Sequence, residues 1–323
     1  VKPAEHPIVR RLYASAPLLL CLAVLGWSGN FVVGRLVGAA GSEQHVPPIQ
    51  LSFLRWIIAT ALLVPVAWRG VRADAAELRA RWRSIVVLAL TGVAIFNTFV
   101  YRGLESTTVV NGVLLQSVCP VLIVLLTFAA HRERPHAAQV GGLLVSLVGV
   151  WLVVSQGHLV GLDLHVNAGD AWILAAVAAY AVYTVVLRDR PAVRPLTLLV
   201  TTFGLGALMV APFAALELAG GRSVPATPGA LAAVAYVGVI PSIVSFFCFN
   251  RGVELIGATR AGQFIHLMPV FGAALAFLFV GERLAWYHLL GGAVIGCGIW
   301  LSGRQISGGN PADKESVGGP AGD

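Results

Sequence analysis

Arg102-Gly103-Leu104-Glu105 and Arg251-Gly252-Val253-Glu254 stand 149 residues apart, and the stretches they open repeat one another. Residues 102–152 slide without a gap onto 251–301. Pro120-Val121 falls on Pro269-Val270, Leu126 and Phe128 on Leu275 and Phe277, and Glu133-Arg134 on Glu282-Arg283. Gly142, Val145, Gly149, Trp151 and Leu152 fall on Gly291, Val294, Gly298, Trp300 and Leu301, which makes 14 identities in 51 positions. Apolar low complexity supplies chance matches among Leu, Val and Gly. It does not supply paired Arg-Gly-x-Glu and Glu-Arg at a fixed distance from a proline. The chain therefore reads as a duplication.

Composition says what was duplicated. Of 323 residues, 57% are apolar and only 11% charged, where a soluble domain carries about 25% charged residues. A globule of this size cannot hide so much apolar surface, so lipid is the expected solvent. Apolar stretches long enough to span recur at 15–37, 50–68, 84–101, 108–130, 137–155, 170–187, 195–217, 229–249, 259–280 and 284–302. The expected fold is an all-α membrane protein of ten transmembrane helices, in two five-helix repeats. The divisions are a basic lead at 1–14, a first repeat at 15–155, a second at 170–302 and a disordered tail at 303–323. Cys21, Cys119, Cys248 and Cys297 all lie in apolar runs, as small core residues do, and suggest neither disulfides nor a metal.

Charge sets the orientation. With the N-terminus inside, 17 of the 22 lysines and arginines fall on the cytoplasmic side. Four (Arg35, Arg102, Arg222 and Arg283) fall outside, and Arg55 lies within a span. The positive-inside rule then places both termini in the cytoplasm. Five helices per repeat is an odd number, so the second copy enters from the opposite face and the repeats are inverted. The net charge of +7 follows this membrane pattern. No basic run interleaved with aromatics suggests nucleic acid.

Polar residues in mid-span should face the interior or a wet cavity. Trp27 and Asn30 share a face of the first helix, and Tyr180, Tyr183 and Thr184 a face of the sixth. Aligning Arg188 with Arg35 sets Tyr180 opposite Trp27 and Tyr183 opposite Asn30. Asn97 and Tyr101 are four apart in the third span, Gln116 and Ser117 adjacent in the fourth, and Gln263 and His266 three apart in the ninth. These ten residues are the candidate substrate-binding set; Thr184 is not among them. Ser242 and Ser245 read as small residues at helix contacts. Gly142-x-x-x-Ser146 and Gly292-x-x-x-Gly296 read as close-packing faces, and Pro120, Pro241 and Pro269 as helix interruptions.

No Asp, Glu or Lys lies in mid-span, and Arg55 reads as a snorkelling side chain. The expected chamber is uncharged, with His266 its one titratable group. Gly26-Trp27-Ser28-Gly29-Asn30-Phe31 resembles, with Ser and Gly exchanged, the Trp-Gly-Ser-Asn-Phe signature that opens EamA-type proteins of the drug/metabolite transporter superfamily. Arg55, the Gly103-Leu104-x-x-Thr107 region, Pro120 with Glu133, and Pro269 with Gly281-Glu282-Arg283 fit the same pattern. The resemblance covers roughly residues 15–302 and is closest to amino-acid exporters of the YddG type. It implies a ten-helix transporter with a central cavity.

The reading is a multi-pass inner (plasma) membrane transporter that exports small metabolites, amino acids foremost, by alternating access. No cofactor, metal or obligate protein partner is expected beside substrate and lipid. Sugar-phosphate or nucleotide-sugar transport calls for a deep Lys or Arg, and four-helix-type drug efflux for an embedded glutamate. A solute channel shares every feature above. An enzyme is disfavoured, since the chain has no His-Glu-x-x-His and no Gly-x-Ser-x-Gly.

Overall fold

The computed structural model describes residues 13–38, 45–107, 112, 115–156, 168–280 and 285–303. The described residues outside turns and connections are helical, as a backbone in lipid must be when no water can satisfy its N–H and C=O groups. The main segments are α1 (Ala16–Gly38), α2 (Pro48–Ala73), α3 (Trp82–Leu104), α4 (Cys119–His131), α5 (Ala137–Val154), α6 (Ala168–Arg188), α7 (Pro195–Ala219), α8 (Pro228–Ile256), α9 (258–280) and α10 (Trp286–Gly303). Seven helices, namely α1–α3 and α5–α8, are long and apolar enough to cross a membrane. The other three are broken, short or glycine-rich. Most of the basic lead and all of the tail beyond Gly303 lie outside the described residues, as do Glu282 and Arg283.

Proline at the first helical positions starts α2, α7 and α8, where its missing N–H is no loss. Gly257 ends α8 at φ +82, a left-handed conformation that glycine adopts without penalty. Outside the bundle, Leu208 is 71% and Leu289 70% exposed, while Asn97, Gln263 and His266 are buried. Polar groups are inside and large apolar ones outside, the arrangement lipid selects.

The two copies deviate from the α-helix at matching places. A π-helical turn occupies Ala89–Ile95 in α3 and Val239–Val244 in α8, which coincide under the 149-residue shift but for one residue. Pro241 lies within the second of these. The predicted fourth span, 108–130, is broken by a turn at 117–118 and resumes at Cys119. In α9 a 3-10 turn at Phe264–Leu267 precedes Met268. Pro120 and Pro269 are each the second residue after their break, so both prolines sit where their lack of an N–H is harmless.

Equivalent helices pack on one another. In α5 and α10, a Cβ at Gly142 would sit 2.3 Å from the Gly298 carbonyl oxygen, and one at Gly298 2.5 Å from that of Gly142. Gly149 and Gly291 repeat this, at 2.7 and 2.9 Å from each other's carbonyl. Gly142 is the repeat counterpart of Gly291, and Gly149 of Gly298, so the contact is self-complementary and the two helices run antiparallel. The close-packing face of α10 is therefore Gly291 and Gly298. The predicted Gly292 and Gly296 are not in it: Gly292 meets only Val270, and Gly296 has nothing within 4 Å. In α2 and α7 the same antiparallel pairing brings the Gln50 N–H onto Glu217 (2.8 Å) and Gly70 against Thr197.

The Arg-Gly-x-Glu motif also does one job twice. Gly103 lets α3 cross the backbone of Gly169 at the start of α6, and Gly252 lets α8 cross Leu20 of α1. Glu105 is held by Arg102 and Arg222, and Glu254 by Arg190 and Arg251. These two clusters lie at opposite ends of the bundle. The start of α1 is held at the end of α8, where Arg251 stacks on Tyr13, and the end of α10 at the start of α5, where Ser302 bonds the Gln139 carbonyl.

Gly298→Val should lower the melting temperature of the purified protein in detergent by several degrees, since overpacking costs about 1–3 kcal/mol. Gly296→Ala, on the open side of the same helix, should leave it unchanged.

Candidate functional site

The centre of the bundle is aromatic. Trp27 of α1 meets Tyr180 of α6 edge-on, at 5.5 Å between centroids. Phe96 lies 4.5 Å from Tyr180, Phe249 5.0 Å from Trp27, and Tyr183 stacks on Tyr180 at 5.3 Å. Phe246 joins the cluster to Trp56 and Phe203. Trp27 donates its indole N–H to the Pro241 carbonyl at 3.1 Å, inside the π turn of α8. The other π turn leaves Gly92 bare against the Tyr183 ring, whose Cδ2 would lie 2.2 Å from a Cβ there. The Tyr180 hydroxyl is buried with no hydrogen-bond partner.

A second group surrounds Arg55. Its side chain is 0% exposed, which corrects the snorkelling reading and with it the expectation of an uncharged chamber. Arg55 lies about 10 Å along α2 from the helix start, at 1.5 Å per residue, and its side chain turns inward. Nε donates to Ser242 Oγ at 2.8 Å, and Nη1 to Asn97 Oδ1 at 2.6 Å and the Tyr101 hydroxyl at 2.7 Å. Tyr101 in turn donates to Asn30 Oδ1 at 2.7 Å. Ser242 donates its own hydroxyl hydrogen bond to the Val237 carbonyl five residues back, as a π turn allows. The serine is thus an acceptor for the guanidinium as well as a small residue at a helix contact.

The two halves share one bond with its members exchanged. Tyr101 of α3 bonds Asn30 of α1, and Tyr183 of α6 bonds Asn250 of α8, both at 2.7 Å. Tyr101 and Asn250 are equivalent under the 149-residue shift, and Asn30 and Tyr183 under the α1–α6 alignment.

The remaining candidates stand apart. His266 of α9 is buried between Ser146 Oγ at Nδ1 (2.7 Å) and the Ser117 carbonyl at Nε2 (3.0 Å). A neutral ring can hold both, with Nε2–H donating to the carbonyl and Nδ1 accepting from the serine, whose one hydroxyl proton is shared between this nitrogen and the Leu143 carbonyl at 2.9 Å. Gln263 donates to the Gln139 carbonyl at 3.3 Å. Gln116 is buried with its carbonyl oxygen unpartnered. Ser117 and His266 are themselves equivalent positions, and their meeting marks the line where the two copies touch. Of the ten predicted residues, Trp27, Tyr180 and Tyr183 share the aromatic cluster. Asn30, Asn97 and Tyr101 share the Arg55 network, and Gln116, Ser117, Gln263 and His266 belong to neither.

Sequence reasoning missed Arg55, Phe96, Phe246 and Phe249. The signal for the last two was present: Ser242, Ser245, Phe246, Phe249 and Asn250 form one stripe at helical spacing.

A buried polar centre inside a lipid-facing helical bundle, flanked by paired helix breaks, defines a polytopic membrane protein built to handle a solute. The EamA-like transporter family model matches residues 14–155 and 167–304, and the chain belongs to that family. An uncharacterized transporter of Archaeoglobus fulgidus is 28% identical over 290 residues, 88% of this chain and 96% of that one. The uncharacterized transporter YetK of Bacillus subtilis is 26% identical, over 94% of this chain and 90% of its own. A probable terminal-alkyne amino-acid exporter of Streptantibioticus cattleyicolor is 27% identical, over 90% of this chain and 93% of its own. A solved crystal structure, 22% identical and covering 89% of this chain and 96% of that one, shares the fold at a TM-score of 0.70.

His266→Ala should destabilise the protein by about 1–3 kcal/mol, since it removes a buried ring together with its bonds to Ser146 and the Ser117 carbonyl. Tyr180→Phe removes only an unpartnered hydroxyl and should leave the melting temperature within a degree or so of wild type. Thermal melts of the three proteins in one detergent check both.

Proposed function

We propose that this chain is a ten-span carrier that exports small metabolites, amino acids foremost, across the inner (plasma) membrane. The two repeats lie inverted in the bilayer, with both chain ends in the cytoplasm. Alternating access moves one repeat against the other about the central cluster. The observation that carries this reading is the paired geometry of the helix breaks. Each copy has a π turn and a proline-marked interruption at the same place, and in inverted copies such matched flexures serve opposite faces. The aromatic cluster of Trp27, Tyr180 and Tyr183 accepts an apolar body, with Asn30, Asn97 and Tyr101 beside it. Gln116, Ser117, Gln263 and His266 are kept as secondary contacts on the line between the copies. The relative named as a probable terminal-alkyne amino-acid exporter supports the substrate class.

Buried Arg55 favours a second reading, transport of anionic sugar phosphates or nucleotide sugars, which calls for such a residue. One cation against a phosphate monoester's nearly two negative charges still leaves a charge unpaired in low dielectric.

The test is counterflow in proteoliposomes. A carrier gives saturable uptake that is stimulated by substrate on the far side, and Trp27→Ala lowers it at least tenfold. Flux that is linear in concentration, without trans-stimulation, replaces the carrier with a pore. Reporter tags at the two chain ends should both be protected in right-side-out cells.

A further inference from the structure

The Arg55 guanidinium has five N–H donors and uses three. Nε and Nη1 are bound to neutral acceptors, whereas Nη2 is buried and has no partner. Its two hydrogens are the unspent donors of a wholly buried cation. The ring of Trp56, 4.6 Å from the guanidinium carbon, and that of Tyr101, at 5.9 Å, offset part of the charge, but neutral oxygens and rings supply no counter-ion in a low-dielectric interior. No carboxylate among the described residues answers it. Asp74, Glu77, Glu105, Glu133, Glu217 and Glu254 are each held by an arginine, Asp170 by Thr107 and Asp189 by His131.

The partners Arg55 does have are placed by the helix breaks. Ser242 lies in the π turn of α8, and Asn97 two residues beyond the π turn of α3. Arg55 thus bridges both copies. The half-buried Tyr236 rests its hydroxyl against Gly29, the chain neighbour of Asn30. On the other side Trp56, next in sequence, packs on Phe246 at 5.5 Å and leads into the aromatic cluster.

We propose that Arg55 is the anion subsite of the transport site and takes the carboxylate of a monocarboxylate through its two Nη2 hydrogens. This rests on the carrier reading above and sharpens it. The substrate carries one carboxylate on an apolar or aromatic body. An apolar or aromatic amino acid offers one such carboxylate beside its ammonium group, and a phosphate monoester offers none. Charge-assisted N–H···O bonds are about twice as strong as neutral ones, so the carboxylate is the recognised group and the body is selected by the rings.

The experiment uses the purified full chain. The twenty standard amino acids are screened by counterflow. The best is then compared with its amide, its decarboxylated amine and its deaminated acid as competitors. The acid should compete and the amide and amine should be at least tenfold weaker. Arg55→Gln should abolish the preference for acid over amide, and Arg55→Lys should restore part of it. An amide that competes as well as the acid in wild type overturns the proposal, as does Arg55→Gln with the preference intact. If Arg55→Gln does not fold, the wild-type competition series decides alone. If no amino acid gives counterflow, the carrier reading fails for amino acids. Melting temperatures with 3-phenylpropionate against 3-phenylpropionamide still read the subsite. A stabilisation specific to the carboxylate keeps it, and equal shifts or none remove it.

Discussion

Four glycines set the distance between α5 and α10, and the two copies meet there backbone to backbone. Gly142 faces the carbonyl of Gly298 while Gly149 faces that of Gly291, so each of the two glycines of α5 contacts the counterpart of the other. Helices in lipid gain no hydrophobic energy from pairing, and small residues that permit close approach are what hold them. This contact defines an approximate two-fold axis, and other meetings of equivalent residues repeat it. Trp27 touches Tyr180, and Ser117 bonds His266.

That axis explains why the polar centre has two parts. Near it, the rings of α1, α3, α6 and α8 interleave, because the α3–α6 and α8–α1 crossings are one crossing made twice. Gly103 and Gly252 permit these crossings and the adjacent Glu105 and Glu254 clusters pin them. Away from the axis, on the α2 side, the polar side chains gather about the guanidinium. His266 lies on the axis but is closed in by α4 and α5, and its bonds tie helices together.

Much of this was written in the chain. The 149-residue repeat showed the duplication, and the three-residue spacing of Trp27 and Asn30 showed an inward face. The Arg188–Arg35 alignment paired Trp27 with Tyr180, which touch. Arg55 was misread because distance from a helix end says how far a long side chain must reach but not which way it turns. Its inward turn depends on acceptors from α3 and α8, which no local pattern in α2 encodes. The glycine face of α10 was misplaced by one residue, since Gly291-Gly292 offers two registers and only the partner helix selects one. The π turns left no signal, because one extra residue per turn hardly alters an apolar run.

The two-fold is one of shape but not of chemistry. By the shared proline positions Pro48 and Pro195, and Pro65 and Pro212, the counterpart of Arg55 in α7 is Thr202, whose hydroxyl bonds its own helix at the Leu198 carbonyl. The tyrosine–asparagine bond likewise occurs twice with donor and acceptor helices traded. Two arrangements related by exchanging the roles of the halves therefore cannot have equal free energy. A resting preference for one side is built into the covalent chain before any solute or gradient acts on it.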